Sequence, residues 1–173
     1  MKKFLFAALA VLCLSVMSAA SDDDTILLRA NCKGDNEVPP MASTGSASFH
    51  ATIHPDGSIN FTLTYANLSS NLIASHFHFA PTKVGGNVMI FICGGGGQPA
   101  CPASPSGTIT GTITAANVTG PVSQGVNPGD LPTALEAVLE GNSYVNLHTT
   151  KFPVGEIRGQ VIVRHGDEDG DRR

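Results

Sequence analysis

Side chains that alternate between apolar and polar with a period of two are the strongest constraint on this chain. Ala47, Phe49, Ala51 and Ile53 alternate with Ser48, His50, Thr52 and His54. Ile59, Phe61, Leu63 and Tyr65 alternate with Asn60, Thr62 and Thr64. Successive side chains of a strand point to opposite faces, so each run predicts a strand with one buried face. Pro55-Asp56-Gly57-Ser58 lies between them and has turn chemistry, so the two strands form a hairpin. Further strands are predicted at Thr25–Cys32, Ala74–Phe79, Asn87–Ile92, Gly107–Thr114, Ser143–Thr149 and Glu156–Val163. One helix interrupts them at Leu131–Glu140, with Pro132 early, Gly141 after its end and Asp130 as its cap. About eight short strands with turn signals between them predict an all-β fold, an antiparallel Greek-key-like β-sandwich with one short helix. Phe49, Ile53, Phe61, Leu63, Phe77, Leu147, Ile157 and Val161 are its expected core.

The two ends read differently from this domain. Lys2 and Lys3, the apolar run Phe4–Val16 and the small residues Ser18-Ala19-Ala20 have the layout of a cleaved signal peptide over residues 1–20. The apolar run is shorter than the roughly 20 residues a membrane-spanning helix needs. The domain is expected over 21–164, and residues 165–173, which lack apolar side chains, as a disordered charged tail. The chain is therefore expected outside the cytoplasm, secreted or periplasmic, with no membrane span in its mature form. A net charge of −4 with only 14% charged residues excludes the clustered Lys and Arg of a nucleic-acid footprint.

An exported chain can keep a disulfide. Cys93 and Cys101 bracket a flexible stretch rich in glycine, Gly94 to Gly97, and are the expected pair. Cys32 is then left over, with burial its default fate.

Chemistry concentrates in Ser75-His76-Phe77-His78-Phe79. Residues i and i+2 of a strand project the same way, about 7 Å apart at the backbone. His76 and His78 therefore share a face, with Phe77 and Phe79 on the other. In Tyr144-Val145-Asn146-Leu147-His148, Val145 and Leu147 read as core, which turns His148 to the outer face as well. Three outward imidazoles on neighbouring strands are a candidate copper or zinc site. Exposed imidazoles of this kind titrate near ~6.5. Glu156 falls near His148 if the last two strands pair. It then either orients that imidazole from behind or pairs on the outer face with Arg158 or a loop amide. His50 and His54 are weaker candidates beside a turn. No nucleophile elbow, phosphate loop or zinc-protease helix is present, so no catalytic residue is assigned.

Asn36-Glu37-Val38-Pro39-Pro40, the hairpin with Asp56-Gly57, Leu72-Ile73-Ala74-Ser75-His76-Phe77-His78, Tyr144-Val145-Asn146-Leu147-His148-Thr149 and Gly155-Glu156-Ile157-Arg158-Gly159-Gln160 together resemble the CHRD domain, named for chordin. The likeness runs roughly from Ile26 to Val163 and implies an extracytoplasmic β-sandwich. The family's His-x-His and Val-Asn-x-His-Thr correspond to His76, His78 and His148, an arrangement similar to the copper ligands of copper/zinc superoxide dismutases. The chain lacks a recognisable zinc loop between these positions, so the likeness does not extend to dismutase activity. Two readings follow. One is a secreted metal-binding module. The other is a structural or interaction module of the cell exterior, without metal, that meets a protein or surface partner.

Overall fold

The computed structural model describes residues 25–166. The expected signal peptide and all but the first two residues of the expected tail lie outside the described residues. Nine antiparallel strands form one sheet: β1 (Ile26–Lys33), β2 (Ser46–Ile53), β3 (Ile59–Ala66), β4 (Leu72–Phe79), β5 (Asn87–Cys93), β6 (Gly107–Ile113), β7 (Ser143–Thr149), β8 (Ile157–Gln160) and β9 (Ile162–His165). A single α-helix, α1, spans Leu131–Leu139. The strands run in the order β5-β4-β7-β8-β1-β2-β3-β6, with β9 also beside β1.

The sheet curls over itself into a nearly closed sandwich. Phe49 of β2 meets Phe77 of β4 edge to face, 5.2 Å between ring centroids, and stacks on Phe61 of β3 at 5.9 Å. β2 and β3 are neighbours, but β2 and β4 are far apart in the sheet order, so the Phe49–Phe77 contact packs the apolar face of one half on that of the other. Phe49, Phe61, Leu63, Phe77, Leu147, Ile157 and Val161 are all buried, and Ile53 packs against them from the edge. Burying a large apolar side chain stabilises the fold by about 1.5–3 kcal/mol, and these residues share that role with other buried strand residues such as Leu28, Ile59 and Ile90.

Local chemistry sets the connections. In the β2–β3 hairpin, Gly57 adopts φ +82, a left-handed conformation that costs glycine no steric penalty. Asp56 Oδ1 accepts from the Ser58 amide at 3.0 Å and closes the turn. Asp130 caps α1 by accepting from the Thr133 amide at 3.2 Å. Gly159 faces the β1 backbone at Asn31 so closely that a Cβ would collide with it, which lets β8 and β1 sit side by side.

Two strand expectations change. The run expected as one strand over Glu156–Val163 is broken at Val161, whose amide donates to the Ser143 carbonyl at 2.9 Å, and it yields β8 and β9. β9 continues to His165, which pairs with Ile26. The outer face of the sheet also differs from expectation. Glu156 and Arg158, read as outward residues, are 0% and 4% exposed, and every residue of β7 is buried on both faces. The cause is loop cover. The segments 34–44, 80–86 and 150–155 fold back over β4, β7 and β8, and loops carry no periodicity that would announce this.

Candidate metal centre

Register places the three histidines together. β4 lies against β7 with His76 opposite Asn146, His78 opposite Tyr144 and Ala74 opposite His148. His76 therefore sits between the other two. Its ring centroid is 4.4 Å from that of His148 and 4.8 Å from that of His78, and His78 and His148 are 6.0 Å apart. One ring nitrogen from each lies within 4.8 Å of the others. Three points so spaced share a centre at most about 2.8 Å from each, against about 2.0–2.1 Å for a zinc–imidazole bond. Closing on an ion requires side-chain movement of under about 1 Å.

The histidines face away from the core, as their phase predicts, but they do not face solvent. They are 6%, 8% and 7% exposed. The Phe91 ring of β5 stands edge-on to His76 at 5.0 Å, and Tyr144 stacks parallel to His78 at 4.8 Å. The loop over residues 80–86 and the β7–β8 connection complete the cover.

Hydrogen bonds from those loops set the tautomers. His78 Nδ1 lies 2.9 Å from the Gly86 carbonyl, and His148 Nδ1 lies 3.1 Å from the Pro153 carbonyl. A carbonyl only accepts, so both Nδ1 atoms carry hydrogen and both Nε2 atoms present lone pairs. His78 Nε2 accepts from His76 Nδ1 at 2.9 Å. His148 Nε2 is buried and has no partner. Leaving a buried polar atom unsatisfied costs about 1–3 kcal/mol. Carbonyl-oriented imidazoles with inward lone pairs are the arrangement that histidine ligands require.

Burial keeps the rings neutral. Desolvation, followed by repulsion from His148 and His78, pushes His76 down to about 2. Desolvation lowers His78 to about 4 against the opposing Gly86 hydrogen bond, and His148 is lowered by desolvation in the same way. The exposed-imidazole range near ~6.5 therefore does not apply to the folded site.

Glu156 is directed elsewhere. Its Oε1 accepts from Ser43 Oγ at 2.6 Å and from the Ser69 amide and hydroxyl at 2.8 and 2.9 Å, and Oε2 accepts from Thr149 Oγ1 at 2.7 Å. Burial alone would raise its carboxyl, but these bonds outweigh it and hold the group below its ordinary range. It ties together three segments of chain and takes the loop-amide alternative through Ser69, with neither His148 nor Arg158 among these partners. His50 and His54 do not join the cluster, which among the described residues contains His76, His78 and His148.

The sequence assigns no role to Glu37 or Tyr144 and offers Arg158 only as an outer-face partner of Glu156, yet all three shape the site. Arg158 Nε donates to the Asn36 carbonyl at 2.6 Å and one terminal nitrogen donates to the Val84 carbonyl at 2.9 Å, while its guanidinium lies 4.3 Å over the Tyr144 ring. Glu37 Oε1 accepts from Asn146 Nδ2 at 2.7 Å. Burial raises the Glu37 carboxyl, with Asn146 and then Arg158 opposing. The clustering of Asn36, Glu37, Asn146 and Arg158 within the quoted motif stretches was the available signal. Cys93 and Cys101 are bridged, with Cα atoms 5.1 Å apart, and Cys32 is a buried free thiol.

Fold and site together define an all-β module that carries three neutral, nearly buried imidazoles on the outer face of a curled antiparallel sheet. The CHRD domain model matches residues 28–161, and the chain belongs to the CHRD domain family. No curated protein and no solved structure matches it.

Proposed function

We propose that this chain is a secreted or periplasmic module that holds one copper or zinc ion on His76, His78 and His148. The observation that carries the reading is the partnerless, buried Nε2 of His148, beside two further imidazoles whose nitrogens are already gathered around one point. His78 and His148 would bind through Nε2, and His76 through the nitrogen that now donates to His78. Bound metal would supply a Lewis-acidic or redox-active centre. The chain's own residues orient the rings through Gly86 and Pro153, exclude water with Phe91 and Tyr144, and keep the ligands deprotonated. Storage, delivery or scavenging of metal fits such a closed site better than turnover of substrate. The Cys93–Cys101 bridge and the leader-like first twenty residues support a location outside the cytoplasm.

The hydrogen bond between His76 and His78 favours the alternative, a structural or interaction module in which the histidines only bond one another. The test is elemental analysis of untagged protein from its native compartment, followed by copper and zinc titration. One equivalent bound by the wild type, with most affinity lost in His76→Ala, His78→Ala and His148→Ala, is the expected result. Equally weak binding by all four leaves the structural reading.

A further inference from the structure

We infer that the site selects monovalent copper over zinc and over divalent copper. The inference rests on the metal-binding reading above and concerns which ion that site takes.

The donor set is three neutral imidazoles. A divalent ion placed among them keeps its full charge unless an anion joins it. Glu156 already accepts hydrogen bonds from Ser43, Ser69 and Thr149, and Glu37 accepts one from Asn146. Cys32 lies in the apolar core and its thiol reaches toward the Val145 carbonyl. A neighbouring cation adds to the charge: the Arg158 guanidinium sits 4.3 Å from the Tyr144 ring, which stacks on His78.

Magnitudes decide between the ions. The cost of desolvating an ion rises with the square of its charge, so a divalent ion costs about four times a monovalent one of similar size. Exposed three-histidine zinc sites avoid that cost by turning a bound water into hydroxide at an open fourth position. Here the rings keep only 6–8% of their exposure, and Phe91 and Tyr144 wall the site. Divalent copper prefers a tetragonal set of four or more ligands, which three imidazoles do not supply. Monovalent copper has a filled d shell, accepts three ligands and brings a single charge.

The test uses the untagged mature chain under anaerobic conditions. Ascorbate, which leaves the disulfide intact, keeps copper monovalent. Affinity for monovalent copper is measured by competition with bicinchoninate, affinity for zinc by competition with a chromophoric chelator, and divalent copper by titration followed with electron paramagnetic resonance. The expected result is one monovalent copper per chain, bound about a hundredfold or more tighter than zinc, with a copper couple more positive than that of the aqueous ion. Zinc or divalent copper binding as tightly as monovalent copper overturns this inference and leaves the metal-binding reading standing. Retention of no metal by the wild type overturns both.

Discussion

Tyr144 lies flat on His78, with ring centroids 4.8 Å apart and parallel planes, and Arg158 reaches the same tyrosine from the strand on the other side. The Tyr144 hydroxyl also accepts from the Gly86 amide at 3.2 Å, and the Gly86 carbonyl in turn holds His78 Nδ1. One tyrosine thus fixes an imidazole through its face and through the loop that orients it. Tyr144→Phe should keep the stack and cost about 1 kcal/mol for the lost hydrogen bond. Tyr144→Leu should cost more, because the cation–π contact, about 0.5–2 kcal/mol, is lost as well. Urea unfolding of the metal-free proteins distinguishes them.

Acid should weaken the metal-free fold earlier than its carboxylates alone would dictate. His76, His78 and His148 are held neutral, with His76 at about 2 and His78 at about 4. Unfolding releases them to about 6.5. Below that value the unfolded chain binds more protons than the native one, so stability falls with pH. The contribution is complete above about 6.5 and is lost progressively as pH drops toward the folded values. Denaturation midpoints should be flat from pH 8 to about 6.5 and then fall, and His148→Gln should shallow the slope.

Glu156→Gln separates scaffold from site. The carboxylate accepts four hydrogen bonds from three segments, and bonds to a charged group contribute about 1.5–3 kcal/mol each where they are not offset. The variant should lose about 2–4 kcal/mol of stability. Its metal affinity, once folded, should stay within a few-fold of wild type. A large loss of affinity without loss of stability would place Glu156 behind His148 after all.

The strands were legible because a period of two is written directly into side-chain polarity: Phe49, Phe61 and Leu63 fell inward as their phase required. The shared face of His76, His78 and His148 was legible for the same reason. Their burial was not. It depends on Gly86, Pro153 and Phe91 arriving from loops and from β5, and alternation within one strand says nothing about what covers its far face. Arg158 illustrates the limit. Its position in the alternation predicts solvent, yet the carbonyls of Asn36 and Val84, more than 70 residues away along the chain, enclose it.

Gly95 tests the wall of the site. A Cβ there would collide with the Phe91 ring, the same ring that stands edge-on to His76. Gly95→Ala should displace Phe91, cost about 1–3 kcal/mol by overpacking and alter metal affinity although it touches no histidine. Unchanged affinity alongside the stability loss would show that Phe91 does not shape the site.

The Cys93–Cys101 bridge closes a short loop directly across from Ser75, beside His76. Chain entropy assigns such a bridge about 2–3 kcal/mol. Cys93→Ser with Cys101→Ser should lose about that much in urea, and mass spectrometry of unreduced peptides should recover the linked pair from wild type.

Cys32 has a consequence for how that bridge persists. Its thiol is 1% exposed and is pushed far above its ordinary range, by burial first and by the Glu37 charge second. Only a thiolate attacks a disulfide, and it must reach the sulfur to do so. Once folded, the odd cysteine therefore has neither the ionised form nor the access for exchange. Among the described cysteines the native fold itself keeps the pairing single-valued, and exchange of the bridge with Cys32 requires the chain to lose its structure.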